Sequence, residues 1–98
     1  MLAASTRPAP NATVAVGDLR IGNHLPITLI AGPCQMESRD HAVMMAEALK
    51  TVADDLGVGL VFKTSYDKAN RTSLSGRRGV GIDEGLAMLA AVRDRLGC

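Results

Sequence analysis

Short apolar runs alternate in this chain with two longer stretches in which apolar residues recur every three or four positions. Thr13-Val14-Ala15-Val16 and Leu19-Arg20-Ile21 flank Gly17-Asp18, a pattern that predicts two short strands around a tight turn. Gly22-Asn23 turns the chain again, and Pro26 opens the next run, since proline is tolerated at the first residue of a strand. Ile27 to Ala31 is β-rich and does not alternate, which predicts a strand buried on both faces, as in a parallel sheet. Gly32-Pro33-Cys34-Gln35 breaks that run. Ser38 is then a candidate N-cap, with Asp40 placed to complement the helix dipole. Ala42, Val43, Met45, Ala46, Leu49, Val52, Ala53 and Leu56 form one apolar helical face, and Gly57 stops it.

Val58 to Phe62 predicts a second buried strand. A long polar loop follows, and a second helix from about Asp83, with Leu86, Leu89, Ala90 and Leu96 inward and Gly97 as its stop. A helix-length crossover between two strands makes them parallel. The order is hairpin, β, α, β, long loop, α. Residues 1–12, rich in Ala and Pro, read as a flexible lead-in to residues 13–98. Two parallel strands do not make a domain, because such sheets have several strands covered by helices. The pattern therefore predicts the amino-terminal part of a larger α/β protein, beginning at Met1 and broken off before a third strand.

Composition narrows the chemistry. Net charge is only +1, and there is one Phe, one Tyr and no Trp. That argues against a nucleic-acid partner, which calls for a broad basic surface or stacking aromatics. Two cysteines are too few for a disulfide framework. No apolar run approaches the roughly 20 residues that span a bilayer. The reading is a cytoplasmic chain with reduced thiols and no membrane contact.

The charge that matters is local. Lys63, Lys68, Arg71, Arg77 and Arg78, five of the eleven basic residues, lie in the loop after the second strand, among Thr64, Ser65, Asn70, Thr72, Ser73 and Ser75. Cations supply charge for phosphate and carboxylate, and hydroxyls and amides supply fixed hydrogen bonds. Loops at the carboxyl ends of parallel strands are where α/β proteins place ligands. The bland alternative is a solvated basic loop. Cys34 follows the first parallel strand at the equivalent place, as a metal-binding thiolate or an inert core thiol. His24, in a turn, and His41, in the first helical turn, are read as non-ligands. Met44, Met45 and Met88 are read as helix packing, and Asp54-Asp55 and Arg93-Asp94-Arg95 as solvated helix surface.

These residues together resemble the KDO-8-phosphate synthase family (3-deoxy-D-manno-octulosonate 8-phosphate synthase). The match lies in Ala31-Gly32-Pro33-Cys34 with Glu37-Ser38, then Phe62-Lys63 and Asp67-Lys68-Ala69-Asn70-Arg71-Thr72-Ser73, and more weakly in Arg78-Gly79 and Glu84-Gly85. It runs from about Val14 to Gly97 and covers about the first third of a family member. The Lys-Ala-Asn-Arg segment is specific, whereas Gly-Pro-Cys is shared more widely.

The resemblance implies a (β/α)8 TIM barrel with an amino-terminal hairpin, built from roughly 250 residues. It implies condensation of phosphoenolpyruvate with D-arabinose 5-phosphate, with release of phosphate, for lipopolysaccharide synthesis. Lys63 and Lys68 would hold phosphoenolpyruvate and stabilise the charge that develops as its C3 attacks the aldehyde. Asn70 would bond the pentose hydroxyls, and Arg71 and Thr72 would hold the pentose phosphate. Cys34 matches the metal ligand of the metal-dependent branch, so a divalent metal ion is implied, with its His, Glu and Asp ligands on later strands. A homo-oligomer is implied for the full-length protein.

Two departures stand out. Arg77 occupies a position that is usually aromatic, and Val80 replaces a proline, which loosens the loop entering the second helix. Two other readings compete. One is a DAHP synthase using erythrose 4-phosphate; those enzymes show Lys-Pro-Arg-Thr where this chain has Lys68-Ala69-Asn70-Arg71, and Asn70 favours the longer sugar. The other is a truncated, non-catalytic product.

Overall fold

The computed structural model describes residues 12–67 and 80–98. The elements are β1 (Val14–Val16), β2 (Leu19–Ile21), β3 (Thr28–Ala31), α1 (Arg39–Leu56), β4 (Gly59–Phe62) and α2 (Ile82–Leu96). The predicted order of strands and helices holds among the described residues. The described residues form an α/β unit, with β1 and β2 as an antiparallel hairpin and β3 and β4 as a parallel pair. Thr28 pairs with Gly59 and Ala31 with Phe62, so both strands end at the same level.

Local chemistry sets the ends of α1. The Ser38 hydroxyl accepts from the His41 amide at 3.1 Å, and the Ser38 carbonyl accepts from the Ala42 amide at 3.0 Å. Asp40 lies in the first turn, where the helix dipole favours negative charge. At the other end Gly57 takes a φ of 70°, a conformation in which a β-carbon is crowded. That turn lets the Gly57 and Val58 amides return to the Asp54 and Ala53 carbonyls, closing a Schellman motif.

The core is small and built on alanines. Ala42 and Ala46, one turn apart, are fully buried and let α2 come close enough for Val92 to pack between them and Phe62. Val43, Leu96 and Cys98 close the cluster. Arg95 reaches Glu47 across the two helices at 3.4 Å, and Lys50 pairs with Asp54 along α1 at 2.7 Å. Asp54, Asp55, Arg93, Asp94 and Arg95 are exposed, as the solvated helix surface read from the sequence requires.

Four expectations need correction. The inner face of α2 is Gly85, Met88 and Val92, while Leu86 is 59% exposed. The inner face of α1 is likewise narrower, since Val52 and Leu56 are exposed, as is Met44. β3 is not buried on both faces: Ile30 is 62% exposed, because no described element covers that side. The strand starts also shift, to Thr28 rather than Pro26 or Ile27, and to Gly59 rather than Val58.

Candidate functional site

The parallel register of β3 and β4 fixes where the two chemically loaded loops begin. Ala31 and Phe62 are Cα partners, so Gly32-Pro33-Cys34 and Lys63-Thr64-Ser65 leave the sheet side by side. The Lys63 amide donates to the Ala31 carbonyl at 3.0 Å. The Lys63 carbonyl lies so close to Gly32 that a β-carbon there would collide with it. Farther out, the Met36 amide donates to the Ser65 carbonyl at 2.9 Å. Glycine at position 32 is thus required by the close approach of two backbones.

Met36 is the anchor of the first loop. It is only 1% exposed, while Cys34 and Glu37 in the same loop are exposed and Gln35 is half-buried. A buried side chain in an otherwise polar loop fixes the loop's path and leaves the adjoining groups facing solvent. The Glu37 carboxylate lies 3.8 Å from His41 Nε2, one turn along, and His41 Nδ1 is buried without a hydrogen-bond partner. His41 is therefore engaged with the start of α1. The Thr64 hydroxyl is also buried without a partner.

Of the residues singled out from the sequence, Cys34 and Lys63 stand on neighbouring loops at the carboxyl ends of β3 and β4, both exposed. Lys68, Asn70, Arg71 and Thr72 lie outside the described residues, as does Arg77. Among the described residues no group of three or more His, Cys, Asp or Glu side chains is placed to hold a metal ion. Cys34 is therefore one donor and not a ligand set, and the described donors alone do not fit a tetrahedral or octahedral ion.

Sequence reasoning missed the ties that set these loops. Tyr66 accepts from the Gly81 amide at 3.1 Å, and Gly85 is buried against Tyr66 and Met36. A glycine in the first turns of a helix was the available signal, since such a residue usually has a packing reason. An open apolar groove of about 940 Å³ lies elsewhere, past the hairpin turn, β4, Leu86 and Leu89, and includes neither Cys34 nor Lys63. The groove is thus separate from the two loops that carry Cys34 and Lys63. No helix among the described residues is long and apolar enough to cross a membrane.

Residues 5–98 match the family described as the DAHP synthetase I family. The chain is 57% identical over 93 residues to a 2-dehydro-3-deoxyphosphooctonate aldolase of Rhodopseudomonas palustris strain BisB5, covering 95% of this chain and 32% of that protein. It is 63% identical over 84 residues to the protein of that name from Methylobacterium radiotolerans, covering 86% and 30%. For the Bartonella tribocorum protein of that name the figures are 54% over 89 residues, 91% and 32%. The chain thus spans about a third of the length of the curated relatives it matches.

Proposed function

The chain belongs to the DAHP synthetase I family, and from that premise we propose that it forms part of a KDO-8-phosphate synthase. The reaction joins phosphoenolpyruvate, D-arabinose 5-phosphate and water into 3-deoxy-D-manno-octulosonate 8-phosphate and inorganic phosphate. The observation that carries this reading is the pairing of β3 with β4, which sets Lys63 beside the Gly32–Ser38 loop at one end of the sheet. The relatives' name, 2-dehydro-3-deoxyphosphooctonate aldolase, supports the eight-carbon product over the seven-carbon one of a DAHP synthase. Asn70 in Lys68-Ala69-Asn70-Arg71 supports it too, as an added polar group for the longer sugar.

Lys63 and Lys68 bind the carboxylate and phosphate of phosphoenolpyruvate. Their fixed positive charge offsets the substrate's negative charge and the oxyanion that develops when C3 attacks the aldehyde. Asn70 orients the pentose through its hydroxyls, and Arg71 and Thr72 hold its phosphate, Arg71 through a planar fork suited to phosphate oxygens. Cys34 would supply one thiolate to a divalent ion whose other ligands would come from beyond the described residues, and such an ion would polarise the aldehyde or activate water. The two βα units belong to a (β/α)8 barrel, the protein is cytoplasmic, and the full-length protein is a homo-oligomer. A second reading is favoured by the share of the relatives that the chain spans: these 98 residues alone release no phosphate.

The test is phosphate release by the natural gene product from the two substrates, with and without chelator. Release that needs both substrates and stops with chelator supports the proposal. Release with erythrose 4-phosphate but not with arabinose 5-phosphate would replace it with the DAHP synthase reading. No release with either sugar would leave the non-catalytic one.

A further inference from the structure

Gly85 stands in the fourth position of α2, where glycine is a poorer helix former than alanine. Its φ is not positive, so its backbone does not require glycine. What requires it is contact. A β-carbon on Gly85 would stand 2.8 Å from the Tyr66 β-carbon and 3.4 Å from the Met36 sulfur. Met36 belongs to the loop after β3, and Tyr66 to the loop after β4. The Met36 amide donates to Ser65 and the Gly81 amide to Tyr66, at 2.9 and 3.1 Å. Three segments thus meet at one glycine.

We propose that Gly85 is a positioning residue: its bare α-carbon lets α2 clamp the Lys63–Tyr66 stretch against the Gly32–Met36 loop. The clamp sets the spacing of Lys63 relative to Cys34. The consequence for turnover rests on the reading of these two loops as part of a phosphoenolpyruvate site. The clamp itself rests only on the contacts. The Tyr66 β-carbon is fixed to its backbone and cannot rotate away. Alanine at position 85 must therefore displace the chain by roughly 0.7 Å to reach the ~3.5 Å of an ordinary carbon contact.

The test is Gly85→Ala in the natural gene product, with Ala87→Gly as control. Ala87 is exposed on the same helix, so the control changes helix propensity without touching Tyr66. Hydrogen exchange at the Gly81 and Met36 amides is expected to quicken in Gly85→Ala, with the Val58 amide, at the far end of α1, unchanged. Adding Tyr66→Gly removes the atom that is struck and is expected to restore protection at both amides, including where Gly85→Ala alone folds poorly. In steady state, kcat is expected to fall about tenfold in Gly85→Ala, in keeping with a sub-ångström misplacement, and to hold in Ala87→Gly.

Unchanged exchange with a raised melting temperature would overturn the clamp, since alanine would then act only as the better helix former. Quickened exchange with unchanged kcat would overturn its link to the reaction. A wild-type protein that releases no phosphate would overturn the reaction reading, and exchange would then decide the clamp.

Discussion

The carbonyl oxygen of Lys63 rests against the α-carbon of Gly32, in the space a side chain would fill. Both atoms belong to backbones already joined by the Lys63 amide and the Ala31 carbonyl. Neither can yield by rotating a side chain. Gly32→Ala is therefore expected to push apart the ends of β3 and β4 and to destabilise by about 1–3 kcal/mol, the usual cost of overpacking. A urea titration checks this. An unchanged midpoint would mean that the two strand ends are not held as described.

Lys63 is exposed, so its value lies in charge and not in packing. Lys63→Ala is expected to change stability by no more than about 0.5 kcal/mol. Loss of a charge-assisted bond of about 1.5–3 kcal/mol predicts a ten- to hundredfold lower kcat/KM for phosphoenolpyruvate. Lys68→Ala is expected to abolish turnover. Asp54→Ala is the contrast: Asp54 pairs with Lys50 on an exposed helix face, a contact of about 0.3–0.5 kcal/mol, and turnover should hold. Equal losses for lysine and aspartate variants would sink the site assignment.

Much of the fold was legible because its signals are local. Ser38 and Gly57 declare their roles within one helical turn, through a hydroxyl three residues from its donor and a position that favours a bare α-carbon. The choice of inward residues on α2 was not legible. Counting hydrophobicity selects Leu86, but the helix buries Gly85, because approach to Tyr66 and Met36 depends on segments distant in sequence. The same limit applied to Ile30, whose apolar character says that it is suited to burial, not that a described element covers it. The placing of Cys34 and Lys63 on neighbouring loops was legible from their positions after the two strands. The Met36–Ser65 bond between their loops was not, because backbone amides carry no residue signature.

Gly57 offers a test free of any functional reading. A β-carbon there would meet nothing within 4 Å, so Gly57→Ala isolates the cost of the backbone conformation at φ 70°. The expected loss is about 1–2 kcal/mol, read from the urea midpoint. A neutral result would place the end of α1 elsewhere.

Cys34 is exposed and presents one thiol. If it is one of several metal ligands, Cys34→Ser is expected to weaken metal affinity by about tenfold or more, since losses in the outer shell alone reach that size. Elemental analysis of protein dialysed against limiting metal gives the occupancy. Equal occupancy in wild type and variant would return Cys34 to the status of a free thiol.

Arg71 tests whether the proposed site holds its two substrates separately. Its proposed partner is the pentose phosphate, and that of Lys63 is phosphoenolpyruvate. Arg71→Ala should therefore raise KM for arabinose 5-phosphate by about ten- to hundredfold, the range set by one charge-assisted contact, and move KM for phosphoenolpyruvate much less. Lys63→Ala should show the reverse order. Measured together, the two variants distinguish a divided anion site from a general basic loop. A basic loop that acts only by attracting anions would weaken both substrates alike in both variants, and added salt, by screening the wild-type loop, would then shrink the loss for each.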